Sequence, residues 1–489
     1  MKITPARLAM LLGPWATMGG PLYAALAGAL RGAVERGEIP EGTVLPPERE
    51  LARRLHVSRT TVVGAYGALK EDGVLESRQG RGTWVAAPAS AAAEASPAGD
   101  VAFSGELYSN LIGGGGDVIE LTAAAPLATT VVAEEAARLA ADGLAGRVAG
   151  VGYVPAGLPE LRERIAEMHG AQGLPTRPDE VLVTTGAQQA IGLVTELFGE
   201  AGQAVLVEEA TYPGALDLAR AAAMRPVGAA LDEGGVVVDA VEELMDRVRP
   251  RFAYLVPVHQ NPTGSVLSDA RSRAVAELSA RYRVPVVEDL ALRDMRLSDR
   301  PVPAPIAAHD PEALVITIGS MSKVFWAGLR VGWIRAPRPI VERLVQLKVR
   351  ADLSSDILSQ AVAAAALPRL ADAAAERRAD LGPRHRVLAA ALARHLPEWT
   401  WDTPTGGCIL WVRIPGGDAR EFGQVAQRYG VTVVPGQVLS ASGGHADRLR
   451  LPFVAEEPVL EEAARRLALA WSAYRGGGAA AEAPAAIIV

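Results

Sequence analysis

The 489-residue chain has a single cysteine, Cys408. One cysteine excludes an intramolecular disulfide and any metal cluster built on the cysteines of one chain. Because it lies in the apolar run Gly406–Val412, we expect it in a buried strand and not in catalysis. No apolar run reaches the roughly 18 residues that span a bilayer, and the first residues lack a full secretory signal. The sequence therefore predicts a cytoplasmic protein of two to four domains that does not enter a membrane.

Lysine is also scarce, because only four of the 49 basic residues are lysines. One of them, Lys323, lies in the segment Ser320–Arg330, where hydroxyl, glycine and apolar neighbours offer no evident carboxylate partner. A primary amine can lose its proton and condense with an aldehyde, which a guanidinium cannot do. Lys323 is therefore either an ordinary surface lysine or a nucleophile, and the rest of the sequence has to separate the two.

Charge and composition divide the chain. Residues 1–85 hold 11 Lys or Arg against 8 Asp or Glu, whereas the whole chain has a net charge of -7, so the remainder is acidic. Small residues with Pro and Gly fill 86–117 and 476–489, which predicts a flexible linker and a disordered tail. From 118 to 475, β-branched runs alternate with helical patterns, which predicts an α/β domain with a mostly parallel sheet. The expected buried strands are Glu180–Thr184, Ala204–Val207, Phe252–Val256, Val284–Glu288 and Leu314–Ile318.

Residues 1–85 have the pattern of a small DNA-reading domain. Helical spacing over Leu22–Val34 and Glu48–Leu55 is followed by a third helix from Ser58 through Leu69, and the tight turn before Ser58 indicates a helix-turn-helix. Ser58 has the side chain of an N-cap, which places the next residues on the first turn of a recognition helix. Gly73–Val85 then predicts a β-hairpin wing with a Gly-Arg-Gly tip.

The segments Leu45–Ala52 and Val57–Val62, together with the glycine-rich wing, resemble the GntR-type winged helix over about residues 20–85. The resemblance implies that this part binds a double-stranded DNA operator. The implied DNA-binding residues are Arg49, Ser58, Arg59, Thr60, Thr61 and Gly80. The alternative is a small packing domain with solvated arginines, which the order and spacing of the motifs disfavour.

Four motifs in the larger part carry the groups needed to hold a phosphorylated pyridine aldehyde. Thr184–Ala190 follows a predicted strand and opens a helix, whose free amides bind phosphate well. Asn261-Pro262-Thr263-Gly264 offers a carboxamide, Asp289 ends a β-run, and Arg330 follows Lys323 by seven residues. Each motif alone has a structural explanation as a turn or a cap. Their order along the chain favours a cofactor site.

This order and spacing resemble the fold-type I aminotransferases over about residues 120–472, with further matches at Gly152-Tyr153, Gly157–Arg162, Thr211–Gly214, Pro404–Gly407 and Leu449–Leu451. The resemblance implies pyridoxal 5'-phosphate (PLP) as cofactor, with Lys323 as the catalytic lysine of the internal aldimine. Asp289 would pair with the pyridinium nitrogen, and Arg450 would bind a substrate carboxylate. The other implied cofactor-binding residues are Asn261 at the ring hydroxyl, Tyr212 over the ring, Tyr153 from the other subunit of a dimer, and Gly186, Ala187, Gln188, Ser320, Ser322 and Arg330 around the phosphate.

Two positions depart from that family's pattern. The family usually has a tyrosine two or three residues after the aspartate, where this chain has Ala291 and Leu292. The usual proline before Gly-Leu-Arg is replaced by Ala327. The missing phenol predicts altered proton transfer, so we expect inefficient transamination with cofactor binding retained.

A GntR-type head, a linker and an aminotransferase-like body, in this order, resemble the MocR-like transcriptional regulators over nearly the whole chain. The resemblance implies a homodimer, expected to be domain-swapped, that senses a small amino compound through an external aldimine and thereby changes its DNA binding. An active aminotransferase with an accessory DNA-binding head is the alternative. A third hypothesis, a repressor whose body only dimerises, fits the intact Lys323, Asp289 and Arg330 poorly.

Overall fold

The computed structural model describes residues 2–12, 15, 21–35, 38–40, 42–78, 82–86, 118–143, 146, 150–310, 312 and 314–475. The predicted linker beyond Ala86, the predicted tail and Gly80 lie outside the described residues.

The first part, which we call the head (residues 2–86), is a helical unit with a two-stranded wing. Its elements are α1 (Pro5–Leu11), α2 (Leu22–Glu35), α3 (Glu48–Arg54), α4 (Arg59–Glu71), β1 (Leu75–Arg78) and β2 (Gly82–Val85). The two strands pair antiparallel, which confirms the predicted hairpin. The Ser58 hydroxyl accepts a hydrogen bond from the backbone N–H of Thr61 at 3.1 Å, so Ser58 caps α4 as its sequence position predicts.

The core of the head is built from the apolar faces of the four helices described above. Leu8, Leu26, Leu51 and Tyr66 are almost fully buried, and the Tyr66 hydroxyl donates a hydrogen bond to the Pro46 carbonyl at 3.0 Å. Helix α1 was not anticipated from the sequence, yet its Leu8 belongs to this core. Truncating such a leucine to alanine costs about 2–5 kcal/mol of stability.

The second part, the body, contains twelve described helices and fourteen described strands. The helices are α5 (Thr130–Asp142), α6 (Pro159–Ala171), α7 (Ala187–Phe198), α8 (Pro213–Ala221), α9 (Val238–Val248), α10 (Asp269–Tyr282), α11 (Arg338–Asp352), α12 (Ile357–Ala366), α13 (Leu370–His395), α14 (Ala419–Arg428), α15 (Gly436–Leu439) and α16 (Glu457–Arg475). The strands are β3 (Ile119–Glu120), β4 (Val181–Thr184), β5 (Ala204–Glu208), β6 (Arg225–Ala229), β7 (Leu231–Asp232), β8 (Gly235–Val236), β9 (Ala253–Leu255), β10 (Val286–Asp289), β11 (Val315–Ser320), β12 (Gly332–Arg335), β13 (Ile409–Arg413), β14 (Val431–Thr432), β15 (Val434–Pro435) and β16 (Arg448–Pro452).

A seven-stranded sheet forms the centre of the body, in the order β4-β12-β11-β10-β9-β5-β6. All neighbouring strands run parallel except β12, which is antiparallel to both β11 and β4. The five predicted strands are all present, with ends that differ by one or two residues, and their apolar composition follows from burial on both faces. Strands β6 and β12 were not predicted.

A smaller antiparallel sheet, β13-β16-β15, lies in the C-terminal region that we call the small lobe (residues 396–475). Its core includes Trp399, Phe422 and Trp471, whose rings meet edge to face with centroids 5.4–5.5 Å apart. Strand β14 pairs in parallel with β3, so the first described residues of the body are held by the small lobe. Cys408 is buried just before β13, one residue short of the predicted strand position.

Among the described residues, no helix is both long enough and apolar enough to cross a membrane.

Candidate functional site

The carboxyl ends of the parallel strands bring the predicted site residues together. Thr184 at the end of β4 is paired with Gly332, which is paired in turn with Ser320 at the end of β11. Asp289 ends the adjacent strand β10. This edge of an open α/β sheet is where ligands bind, because the loops that leave the strands diverge there and expose backbone groups.

Lys323 lies in the loop that follows β11. Its ammonium Nζ donates a hydrogen bond to the Ala124 carbonyl at 2.6 Å. Burial lowers the pKa of this amine, and the nearby guanidinium of Arg450 lowers it further, while Cys408 and Asp289 act in the opposite direction. A lowered pKa increases the neutral fraction of the amine, which is the form that attacks an aldehyde.

Asp289 is held by two donors. The Tyr254 hydroxyl donates to Oδ2 at 2.7 Å, and the backbone N–H of Ala291 donates to Oδ1 at 2.9 Å. Burial raises the pKa of the Asp289 carboxyl, and both hydrogen bonds together with the charge of Lys323 oppose that rise. Leu292, at a position where the family often has a tyrosine, packs instead into the apolar core. Asp289 can therefore pair with a protonated ring nitrogen, and the nearest phenol belongs to Tyr254 of the neighbouring strand β9.

The loop before α7 forms a cradle for an anion. Gly186 has φ +83° and precedes Ala187, the first residue of α7, so the free amides of the helix point into the site. A side chain on Gly186 would put its Cβ 3.1 Å from the Arg330 guanidinium. Arg330 Nη2 donates to the Thr185 carbonyl at 3.0 Å. An arginine beside an amide-lined glycine turn suits a phosphate group.

Two serines complete this cradle. Ser320 Oγ donates to Ser322 Oγ at 3.1 Å and accepts from the Ser322 backbone N–H at 3.2 Å. Ser320 is paired through Gly332 with Thr184, which leads into the Gly186 loop, so strand register places Ser320 at the same sheet edge as that loop. The hydrogen bonds between Ser320 and Ser322 keep the second serine next to the first. The predicted phosphate residues are thus brought together by strand register.

A partly buried network of hydrogen bonds joins the Gly186 loop to α11. The Thr185 N–H donates to Gln189 Oε1 at 2.7 Å, and Gln189 Nε2 donates to Asp352 Oδ2 at 2.7 Å. The fully buried Lys348 donates to Asp352 Oδ1 at 2.6 Å. These charge-assisted bonds fix the loop to α11.

Tyr212 and Gln188 lie side by side. A Cβ on Gly214 would come within 2.5 Å of both the Tyr212 ring and Gln188 Oε1, so glycine is required for this approach. Gln188 Nε2 donates to the Gly214 carbonyl at 3.2 Å. Among the described residues, Gln188 Oε1 and Asn261 Oδ1 are buried without a hydrogen-bond partner. Buried polar atoms of this kind indicate a polar ligand, so the residues present fit PLP.

Asn261 lies in the loop after β9, the strand next to β10. The preceding residue, Gln260, fixes this loop through hydrogen bonds from Nε2 to Glu208 Oε2 at 2.9 Å and to the Ala210 carbonyl at 2.7 Å. Burial raises the pKa of Glu208 to about 8, against the hydrogen bonds that it accepts. The carboxamide of Asn261 is therefore carried by a braced loop that leaves the strand next to β10, at whose end Asp289 lies.

Arg450 faces the same site from the small lobe. It is 4% exposed on β16, and its Nη2 donates to the Thr122 carbonyl. Its charge reaches Lys323, whose pKa it lowers. The Thr122 carbonyl thus accepts a hydrogen bond from the Arg450 guanidinium of the small lobe, and the nearby Ala124 carbonyl accepts one from the Lys323 amine, which follows the large sheet. A ligand that carries both a carboxylate and an amine matches that pair.

Tyr153 is 66% exposed, and no described contact joins it to the site. Its expected role in the cofactor site of another subunit stays a prediction.

The predicted DNA-binding residues of the head lie near the start of α3 and α4. Arg49, Arg59 and Thr60 are exposed. The Ser58 hydroxyl lies 2.6 Å from the Thr60 hydroxyl and 2.8 Å from that of Thr61, so these side chains form one polar surface. Gly80 lies outside the described residues.

Sequence reasoning missed Tyr254 and the two carbonyls at Thr122 and Ala124. A tyrosine inside a buried strand has the pattern of a core residue, and a backbone carbonyl leaves no mark in the sequence.

Comparison with known proteins identifies the families of the two parts of the chain. Residues 117–467 match the family described as Aminotransferase class I and II, and residues 22–85 match Bacterial regulatory proteins, gntR family. The chain belongs to the class I and II aminotransferase family. It also carries a gntR-family DNA-binding domain, so it is a GntR-type regulator fused to an aminotransferase-like domain.

Relatives that share both parts are named as regulators. The "Uncharacterized HTH-type transcriptional regulator YisV" of Bacillus subtilis is 29% identical over 88% of this chain and 92% of its own length. The "Probable rhizopine catabolism regulatory protein MocR" of Rhizobium meliloti is 28% identical over 80% of this chain and 82% of its own. The predicted MocR-like architecture of this aminotransferase-family chain is confirmed.

Among solved structures, the body is similar to LysN, the alpha-aminoadipate aminotransferase from Thermus thermophilus. The two are 31% identical with a TM-score of 0.68, and the match covers 76% of this chain and 95% of that one. LysN was solved with N-(5'-phosphopyridoxyl)-L-leucine, and aminotransferases of this fold are PLP-dependent. The α/β fold predicted for this family is confirmed.

Proposed function

We propose that this protein is a PLP-dependent transcriptional regulator whose body senses a small compound carrying a primary amine and a carboxylate. The observation that carries this proposal is the placement of Lys323 and Arg450 on the two sides of one site in a chain that also has a DNA-binding head. The amine of Lys323 has a lowered pKa, and Arg450 is a buried cation with a geometry suited to a carboxylate.

PLP supplies an aldehyde that condenses reversibly with a primary amine. The residues that would hold it are Asp289 at the ring nitrogen, Asn261 at the ring hydroxyl and Tyr212 over the ring. Around the phosphate these are Gly186, Ala187, Gln188, Ser320, Ser322 and Arg330. The proposal gains support from their common position at one sheet edge and from Gln188 Oε1, which is buried beside Tyr212 without a hydrogen-bond partner among the described residues.

Sensing without efficient turnover fits the surroundings of Asp289. Ala291 contributes only a backbone N–H, and Leu292 is buried among apolar side chains. The site therefore retains the groups that bind an amino compound but lacks the phenol that usually assists proton transfer at this position.

We further propose that the protein acts as a homodimer, with Tyr153 of each subunit at the cofactor of the other, in a domain-swapped arrangement. The 66% exposure of this aromatic side chain supports that role, because a large exposed ring is typical of contact surfaces. Because the head of the protein binds DNA, we propose that the protein works in the cytoplasm.

An absorbance titration tests the proposal. The purified protein with PLP should have a visible band that shifts and persists with one amino acid or amine from a panel, and that ligand should change the affinity for the operator. If the band instead bleaches with the amine and returns with a keto acid at enzymatic rates, the protein is primarily an aminotransferase. If neither occurs, the body does not sense amines.

Lys323→Ala identifies the reactive amine. Borohydride reduction of the PLP-loaded wild type should add the cofactor to the peptide that contains Lys323, and Lys323→Ala should lose this adduct. The control Lys70→Ala removes a lysine of α4 in the head and should retain it. An adduct that persists in Lys323→Ala contradicts the assignment.

A further inference from the structure

A polar contact joins the turn of the helix-turn-helix to helix α14 of the small lobe. The guanidinium Nη1 of Arg54 pairs with Glu421 Oε1, and His56 Nε2 lies 3.3 Å from Glu421 Oε2. From the C-terminal end of α14, Arg428 Nη1 donates to the His56 carbonyl at 2.6 Å. Glu421 and Arg428 of the body therefore hold Arg54 and His56 of the head.

An aromatic contact reinforces this joint. The His56 ring lies 5.1 Å from the Tyr474 ring, and the Tyr474 hydroxyl accepts a hydrogen bond from the Asp418 N–H at 2.9 Å. Burial, followed by Arg428 and Arg54, lowers the pKa of His56, which keeps its ring neutral beside Tyr474. We call Arg54, His56, Glu421, Arg428 and Tyr474 the head dock.

The head dock is partly removed from water. The side chains of Arg54, His56 and Glu421 are 30%, 20% and 22% exposed, respectively. An ion pair at such a site is less screened than one on the open surface, and here Glu421 holds Arg54 in an ion pair and the neutral His56 ring in a hydrogen bond. The contact therefore restrains orientation more than an isolated surface pair would.

Docking leaves the predicted DNA-binding residues accessible. Arg49, Arg59 and Thr60 remain exposed while Arg54 and His56 are covered. The dock does not hide the DNA-reading face of the head. It fixes the direction in which that face points.

The chain connects the head dock directly to Arg450. Helix α14 ends at Arg428, and β15 follows six residues later with Val434. Val434 is paired with Arg450 in the small sheet. Lys323, in contrast, follows β11 of the large sheet. A ligand held by both Arg450 and the Lys323 site bridges the small lobe and the large sheet, and the docked head is attached to the small lobe.

We propose that the head dock makes the head and the small lobe that it contacts one unit, so that ligand binding at Arg450 reorients the DNA-reading face. In a domain-swapped dimer the same contact joins each head to the small lobe of the partner subunit. This inference rests on the proposed sensing function. Its physical basis is preorganisation: a head with a fixed direction loses less orientational freedom on binding two half-sites than a head on a free linker does. A ligand that favours a different lobe arrangement then changes DNA affinity by linkage.

The test compares full-length wild type with Glu421→Ala/Arg428→Ala. An operator is selected by the wild type from a random duplex library, and its half-site spacing is then varied. The wild type should prefer one spacing. The double variant should bind that spacing roughly three- to tenfold more weakly and accept a broader range of spacings. Amine ligands should still shift its PLP absorbance band but no longer change its DNA affinity.

Two controls separate loss of docking from general damage. Glu242→Ala removes an exposed ion pair with Arg281 on α9 and α10, far along the chain from the dock, and should behave as wild type. The exchange Arg54→Glu/Glu421→Arg restores opposite charges and should recover part of the spacing preference, even if the alanine double variant folds poorly.

The outcomes distinguish the two proposals. If the wild type shows no amine-dependent change in absorbance or DNA binding, the sensing function fails, and the spacing experiment still tests the dock. If the wild type responds and the dock variant has the same affinity, spacing preference and ligand response, the head dock proposal is overturned alone.

Discussion

Tyr254 donates a hydrogen bond from its hydroxyl to Asp289 at 2.7 Å, across two neighbouring strands of the central sheet. Both side chains are buried, and the phenol helps to keep the Asp289 carboxyl ionised against the rise in pKa that burial causes. In a chain that has Ala291 and Leu292 after this aspartate, Tyr254 is the phenol that acts on it. Tyr254 is a positioning residue for the ring-nitrogen partner.

Tyr254→Phe should therefore weaken PLP binding. Removing the hydroxyl leaves Asp289 with the Ala291 N–H as its hydrogen-bond donor and raises the pKa of the carboxyl, so the anion that pairs with the pyridinium is less populated. A lost hydrogen bond to a charged group costs about 1.5 kcal/mol, or roughly tenfold in the dissociation constant, measured by absorbance titration. Tyr282→Phe removes a hydroxyl that donates to Glu242 and should bind PLP normally. Equal PLP affinities in Tyr254→Phe and Tyr282→Phe would contradict the positioning role of Tyr254.

The pH dependence of imine formation should change in Arg450→Met. Burial and the charge of Arg450 lower the pKa of Lys323, so in the wild type the neutral amine is formed, and PLP uptake reaches its plateau, below the ordinary lysine pKa. Removing the Arg450 charge takes away one of the two lowering effects, while Cys408 and Asp289 still raise the pKa. The midpoint of uptake against pH should move to higher pH.

The matched control for this change is Arg413→Met, on the adjacent strand β13, where the side chain is 58% exposed and pairs with Asp447. Its midpoint should equal that of the wild type. A midpoint that moves down in Arg450→Met, or that moves equally in both variants, would show that Arg450 does not act on Lys323.

The sequence predicted those parts of the molecule that depend on local patterns. Apolar spacing and the Ser58 cap indicated the helices α2 to α4, and buried apolar runs indicated five strands of the central sheet. Strand β12 was missed because Gly332 and Arg335 leave it only two apolar residues, so its place between β4 and β11 depends on distant pairing. Helix α1 was missed because its seven residues are too short for a clear period.

In the candidate site, too, the local motifs could be predicted from the sequence and the long-range contacts could not. Lys323, Asp289, Gly186 and Arg330 lie in motifs with a recognisable local chemistry, and strand register brings them to one edge. Their individual roles remain predictions. The contact between His56 and Glu421 joins residues 365 positions apart, and each has only the appearance of a solvated polar residue in its own segment. Long-range contacts of this kind need the fold.

Arg59→Ala should lower operator affinity by about 1–3 kcal/mol if Arg59 reads a base, because it lies on the first turn of α4 and is exposed. A gel shift at fixed salt on the selected operator measures this. Arg247→Ala removes another exposed arginine, on α9 and paired with Glu243, and should leave binding unchanged. Wild-type affinity in Arg59→Ala would place this residue outside the DNA interface.

Gly186→Ala should separate backbone strain from anion binding. At φ +83° an alanine is strained by roughly 1 kcal/mol or more, and its methyl group would stand 3.1 Å from the Arg330 guanidinium in the anion cradle. Gly202→Ala is the matched control, because Gly202 has φ +80° but no atom within 4 Å of the added Cβ. Both variants should lose similar stability to thermal unfolding, and only Gly186→Ala should bind PLP more weakly. It should bind pyridoxal without its phosphate about as well as the wild type does, since the damage lies at the phosphate. Equal loss of PLP affinity in both glycine variants would mean that strain alone is responsible, and equal loss for PLP and pyridoxal would place the phosphate elsewhere.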